Sequence, residues 1–292
     1  MRVTDGMFFD NMKRNVAARQ SDYMTAQERA ASGLKVENPS DDPVAFSSAL
    51  NETTNLNRAT GYQRSIDQAK PVLDTADSAL GQIDDVMGQI RDIAVQGAND
   101  PLTASDRQTL SQQLDSLRDQ LVSLGNSQSG DVYVFGGYKN GTPPYDATGT
   151  YTGDTNQVQV AVSRGVTLST SVTGDKIFGT AGNDVFTTIS NLQTALASND
   201  GANISSQLTD IDAKLETVRT AHSEIGVQMN ASDIAETVAQ RNQDQATKNH
   251  SSLVDADAAG AYTDLARAQT ALSAAIQIAA QLPPPGLVEK SR

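Results

Sequence analysis

Between residues 66 and 94, apolar side chains recur at Ile66, Ala69, Leu73, Ala76, Leu80, Ile83, Met87, Ile90 and Ala94, in steps that alternate three and four without a miss. On a helix of 3.6 residues per turn this rhythm sets every one of them on a single narrow stripe. A stripe that narrow does not cap a deep globular core, which asks for a wider apolar face. It predicts a long helix packed at a shallow angle against other helices. Since a seam cannot bury itself, the chain must supply partners. Two stretches have the same rhythm: Leu110, Leu114, Leu117, Leu121 and Leu124, and then Ile204, Leu208, Ile211, Leu215, Val218, His222, Ile225 and Met229.

Punctuation divides these seams. Gly97 to Pro101 (GANDP) breaks the first, because Pro cannot continue a helix. A second helix restarts near 103, with Thr103 or Ser105 as its cap. Residues 45–128 therefore read as a helical hairpin. Residues 130–182 change character. Val132/Val134, Val158/Val160/Val162 and Val166/Leu168/Thr170/Val172 alternate with polar residues, the period of half-buried strands, and turns at Gly136-Gly137, Asn140-Gly141 and Thr173-Gly174-Asp175 separate them. Helical spacing resumes at Val185, Ile189, Leu192 and Leu196, and Ser198 to Gly201 ends that segment. A last helix is expected to present Tyr262, Leu265, Gln269, Leu272, Ile276 and Ala279 on one line, with Pro283-Pro284-Pro285 stopping it.

The fold class that follows is mainly α with a small β insertion: an elongated antiparallel helical bundle or coiled coil built from both chain ends, with a central β-rich domain. The expected segments are 1–44, an N-terminal coiled-coil segment pairing with 250–292; 45–130, the first half of a helical rod; 131–182, the β-rich domain; 183–249, the second half of the rod; and 250–292, the C-terminal coiled-coil segment. The end segments have the weakest seams. Arg19 falls on the line Met12, Val16, Arg19, Tyr23, Ala26, Ala30, so these helices are expected to order against neighbouring subunits.

Composition narrows the function. Aromatics are 4% and Trp is absent, which suits Ala- and Leu-lined seams better than a deep pocket. The net charge of −13 with no basic block argues against nucleic acid. No Cys is present, so disulfides and thiolate metal sites are out. The start MRVTDGMFFDNMKRN lacks the apolar core of a signal peptide, and no stretch approaches the roughly 20 apolar residues of a membrane span.

Candidate chemistry is sparse. The two His, His222 and His250, stand 28 residues apart in no ligand spacing, and His222 sits on a heptad line. Asn38-Pro39-Ser40-Asp41-Asp42-Pro43 is the densest polar cluster, yet it lacks the rhythm of a calcium loop; it reads as two turns, with Ser40 or Asp41 capping a helix near Pro43. Gly179 to Asp184 resembles a single β-roll half-turn, and Asn183 or Asp184 capping the next helix explains it more simply. Walker, dinucleotide and nucleophile-elbow motifs are absent, so no catalytic, cofactor or metal residue is assigned.

The stretch Ala26 to Ala45 resembles the start of the flagellin superfamily, through Ser32-Gly33-Leu34 followed by Asp41-Asp42. The form Asn38-Pro39-Ser40-Asp41-Asp42-Pro43, the run Val132 to Lys139 followed by Pro143 to Asp146, Val218-Arg219, Ile225-Gly226, Leu253 to Asp257 (with Asp255 and Asp257), and the helix Leu265 to Leu272 around Arg267 are similar to the hook-filament junction family (hook-associated protein 3). The resemblance spans essentially the whole chain and is weakest in 140–182. It implies a non-enzymatic structural adaptor. Terminal helices would form an inner coiled coil, with the β insertion facing outward. Its partners would be copies of itself in a ring, another hook-associated protein on the hook side, flagellin on the filament side and an export chaperone, with no cofactor, nucleic acid or membrane. It also implies an extracellular place on the flagellum, reached by type III export without a cleaved signal peptide. The tail Leu282 to Arg292, Pro-rich and charged, differs from the apolar helix that ends flagellins. A minor flagellin and a soluble coiled-coil module are the alternatives.

Overall fold

The computed structural model describes residues 5–98 and 102–281. The last residues of the 97–101 break and the Pro-rich tail lie outside the described residues. The elements are α1 (Asp5–Ser32), α2 (Pro43–Gly97), α3 (Ala104–Gly125), β1 (Gln128–Ser129), β2 (Val132–Tyr133), β3 (Gln159–Ser163), β4 (Val166–Ser169), α4 (Gly174–Phe178), β5 (Gly179–Thr180), β6 (Asn183–Asp184), α5 (Val185–Ala197), α6 (Gly201–Val254) and α7 (Ala258–Ala280). The chain forms two compact units, one of Met1–Asn57 with Gln243–Arg292 and one of Arg58–Asn242. The fold is mainly helical, with long helices from both ends of the chain and short antiparallel strands in the middle. Among the described residues, no helix is long and apolar enough to cross a membrane.

In the unit Arg58–Asn242 the heptad stripes meet. Ile66, Leu73, Leu80, Ile83, Met87 and Ile90 of α2, Leu110, Leu114 and Leu121 of α3, and Ile211, Leu215 and Val218 of α6 are all buried in one core, joined by Ile189 and Leu192 of α5. Leu117 and Leu208 sit at its edge, only partly buried. Thr103 caps α3 in a reciprocal box with Asp106, and Asp184 caps α5 by accepting from the Thr187 amide.

Charged pairs flank the α2–α6 seam. Lys70, Asp77, Asp84 and Arg91 stand one heptad apart on α2; they meet Asp233 and Glu236, His222, Arg219 and Asp212 of α6 in descending order, so the helices run antiparallel. Each pair is at least partly exposed to solvent and stabilises by no more than about 1 kcal/mol. Their order matters more. A slip of one heptad in one direction sets Arg91 against Arg219, and in the other sets Asp84 against Asp212. Like charges so placed fix the register, as flanking residues do in coiled coils.

The insertion differs from a single β layer. It holds three two-stranded antiparallel ribbons, β1–β2, β3–β4 and β5–β6. β4 ends at Ser169, although the alternation runs on to Val172; Thr170 still donates to the Val158 carbonyl, and Val172 turns into the core. Thr173-Gly174-Asp175 is not a simple turn, because α4 begins there and buries Ile177 and Phe178. What holds the insertion is an aromatic cluster of Tyr145, Tyr151, Phe178 and Phe186, with Tyr145 edge-on to Phe178 at a centroid distance of 5.2 Å. Burial pushes the Tyr145 phenol well above its ordinary pKa. Gly149, at φ +84°, lies where a Cβ would strike the Phe186 ring.

Candidate assembly interface

The unit Met1–Asn57 with Gln243–Arg292 carries the residues singled out by motif. α1 ends at Gly33, whose φ of +73° suits a residue without a Cβ, and whose N–H donates to the Arg29 carbonyl. The Ser32 hydroxyl accepts from the Leu34 amide. The chain then crosses the other end of the sequence. Leu34 and Asp255 form an antiparallel bridge, the Lys35 amide donates to the Val254 carbonyl at 2.7 Å, and the Ala256 amide donates to the Gly33 carbonyl at 2.8 Å. Lys35 Nζ adds a bond to the Ser252 carbonyl at 2.6 Å, and Val36 and Val254 are buried beneath. Asp255 accepts from the Ser251 hydroxyl, and Asp257 caps α7 by accepting from the amides of Ala259 and Gly260.

The Asn38 to Pro43 loop divides its two carboxylates. Asp41 folds backward and accepts from the amides of Glu37 and Asn38, which hold its pKa below the ordinary carboxylate value. The helix cap is neither Ser40 nor Asp41 but Asp42, which accepts from the amides of Val44 and Ala45 at 3.0 and 2.9 Å. Pro43 takes the first helical position, where its missing N–H leaves nothing unpaired. That placement makes Asp42 the residue immediately before the helix.

α1 and α7 pack along one another. From α1 the half-buried side is Met12, Val16, Tyr23, Ala26 and Ala30, with Arg19 exposed on the same line and paired to Asp22. From α7 it is Ala261, Leu265, Ala268, Leu272, Ala275 and Ala279. The expected line through Tyr262, Gln269 and Ile276 is rotated outward: Tyr262 is 62% exposed and Ile276 50%. Alanines alternate with Leu265 and Leu272 along the contact and let two helix axes come close, while Tyr262 and Ile276 are left on the far side. No residue of α7 is buried. Among the described residues, the buried hydrophobics of this unit are Val36, Ala49, Ala246 and Val254 alone. Met7, Phe8, Phe9, Met24, Tyr262, Ile276 and Ile278 are exposed on the two helices. Arg267 is exposed too, and pairs with Asp264 at 3.5 Å one turn away.

The two His do not form a site. His222 shares a 2.9 Å hydrogen bond with Asp77 on the α2–α6 flank, and His250 lies on α6 in the other unit. Among the described residues no cluster of three or more His, Asp or Glu could hold a metal ion. Lys35, Val36 and Val254 carry the crossing of the two chain ends, although sequence spacing gave no signal for them.

Residues 6–139 match the family described as the bacterial flagellin N-terminal helical region. The flagellar hook-associated protein 3 of Escherichia coli K12 is 25% identical over 299 residues, 94% of either chain. These likenesses point to the flagellin superfamily and, along nearly the whole chain, to hook-associated protein 3. The Salmonella typhimurium hook-associated protein 3 is 31% identical over 182 residues, 61% of this chain and 57% of its own length. A Vibrio parahaemolyticus protein described as a flagellar hook-associated protein superposes with a TM-score of 0.67 at 27% identity, covering 74% of this chain and all of its own.

Proposed function

We propose that this chain is a structural, non-enzymatic subunit of the bacterial flagellum that joins the hook to the flagellin filament. The observation that carries the reading is the thinness of the α1–α7 pair. Among the described side chains, a 28-residue and a 23-residue helix bury none fully against each other and hold Phe8, Phe9, Tyr262, Ile276 and Ile278 in water. Such a pair completes its burial on neighbouring subunits. Copies of the chain form a ring through these faces. One rim contacts another hook-associated protein and the other contacts flagellin. Before assembly an export chaperone covers the C-terminal face, and the subunit leaves the cell without losing a signal peptide. Resemblance along nearly the full length of hook-associated protein 3 favours an adaptor over a minor flagellin.

Deleting the gene tests the reading. Hooks without filaments, with unassembled flagellin shed into the medium, are the expected result, restored by the wild-type chain and not by Tyr262→Glu/Ile276→Glu. Normal filaments on the deletion strain would refute it.

A further inference from the structure

We infer that α6 carries a self-complementary seam through which two copies of this chain pair antiparallel, as a closed form separate from a ring. On the face of α6 opposite the buried Ile225, Ser232 and Ala239, the side chains of Val227 and Ile234 are 62% and 67% exposed, and Val238 is exposed beside them. With the half-buried Ala231 they step four, three, four, the spacing of a coiled-coil seam. Continuing the same spacing by one residue at each end reaches Glu224 and Arg241. The run Glu224, Val227, Ala231, Ile234, Val238, Arg241 is complementary to its own reverse. An inverted second copy sets Glu224 on Arg241, Val227 on Val238 and the small Ala231 on the large Ile234, and each pairing occurs twice by symmetry. Gln157 donates to Glu224 at 3.2 Å and fixes that carboxylate at the edge of the stripe.

Orientation follows from the charges. A copy running in the same direction, stripe on stripe, would stack Glu224 on Glu224 and Arg241 on Arg241. An antiparallel slip of one heptad would set Ile234 against Glu224. Only the inverted, in-register pair satisfies all six positions. A ring repeats its copies in one direction and joins two different patches, whereas a two-fold pair joins one patch to itself. The stripe therefore belongs to a closed dimer that removes Val227, Ile234 and Val238 from water while the subunit is free. The contact spans about 25 Å of helix. A single six-residue stripe of that length buries much less than the roughly 1,600 Å² of a standard interface, so the dimer is weak and gives way to assembly.

The chain has no Cys, which makes introduced thiols unambiguous. Ala231→Cys and Ile234→Cys are made singly in the full chain; Ile234 is exposed, and Ala231 is half-buried beside the core, where a Cys differs from it by one sulfur atom. Under mild oxidation an equal mixture of the two should form a disulfide dimer severalfold faster than either variant alone. Self-crosslinking of either single variant as fast as the mixture would mean a same-level contact and overturn the proposal, as would the absence of crosslinking in the mixture. In the second arm, Glu224→Arg or Arg241→Glu alone, added to both cysteine variants, should reduce the mixed crosslink at least tenfold, and the two together should restore it. Crosslinking indifferent to these charges would equally overturn the pairing.

Discussion

Two substitutions of similar chemistry should separate what folds this chain from what assembles it. Leu80 is fully buried in the α2 seam. Leu→Ala at buried sites lowers stability by about 2–5 kcal/mol, depending on how far the surroundings collapse. Here the stripe is held on both sides of the site by Ile83, Met87 and Ala76, all buried on the same long helix. Such a helix cannot collapse at one point without shifting its whole register, so Leu80→Ala is expected in the middle of that range, at about 3–4 kcal/mol. For a unit of this size that lowers the melting temperature by roughly 10 °C. Ile276, by contrast, is half exposed on α7. Ile276→Glu keeps a good helix former and should change monomer stability by no more than about 0.5 kcal/mol, yet it places a charge on the face proposed to meet neighbouring subunits. Urea unfolding of the two monomers by circular dichroism, alongside filament counts in complemented deletion cells, reads both quantities. Leu80→Ala within 1 kcal/mol of the parent would refute the seam argument. Ile276→Glu that destabilises the monomer as strongly as Leu80→Ala, or that assembles normally, would refute the division between folding and assembly.

Loss of the Asp42 cap in Asp42→Ala should weaken the first turn of α2 by about 1 kcal/mol, seen as faster hydrogen exchange at Val44 and Ala45 with little change at Leu80. Asp41 has a folded pKa below its ordinary value because two amides donate to it, so its contribution is complete above the unfolded value of 3.8 and is lost as pH falls through the folded one. The amide shifts of Glu37 and Asn38 should accordingly titrate with a midpoint below 3.8, and a midpoint at or above it would contradict the turn geometry. Across the α2–α6 flank, Arg219→Asp should weaken the bundle by about 0.2–1 kcal/mol through its new repulsion with Asp84, and adding Asp84→Arg should recover most of the loss. Failure of the double swap to recover stability would mean that the pair has no part in register.

The seams of α2, α3 and α6 were legible because a 3–4 rhythm held over several turns has one physical reading, and Gly and Pro marked where the helices stop. The face of α7 was not. Tyr262, Leu265, Gln269 and Leu272 make a plausible line in sequence, but the choice between that line and Ala261, Leu265, Ala268 and Leu272 depends on how near the α1 axis lies. A short inter-axis distance selects alanine, and nothing within α7 encodes that distance. The same holds for the Asp41-Asp42 pair: either carboxylate can cap a helix, and the choice fell to Asp42 once Pro43 took the first helical position. In the insertion the alternation of Val158 to Val172 gave the strand character, but the strand ends were set by the cluster of Tyr145, Tyr151, Phe178 and Phe186, drawn from positions 41 residues apart. The crossing of Gly33 to Val36 with Val254 to Ala256 joins backbone groups more than 200 residues apart, which no local pattern announces.

Charge is divided between the units in a way that matches their packing. Arg58–Asn242 holds 22 of the 35 carboxylates and 12 of the 22 Lys and Arg, a net of −10, while the unit formed by the two chain ends nets −3. Self-repulsion of the first is tolerable because its seams already bury Leu and Ile, and the residual charge keeps its surface in water. The second has almost no core, so it gains stability only by approaching other protein, and every unpaired charge on it would oppose that approach. A nearly balanced surface with exposed Phe, Tyr and Ile therefore suits the proposed close packing among copies. Sequence economy explains why the ends are so rich in alanine. Under the packing proposed here, helices that touch on more than one side at short range cannot carry large residues all round, and Phe8, Phe9, Tyr262 and Ile276 mark the directions from which neighbours would come.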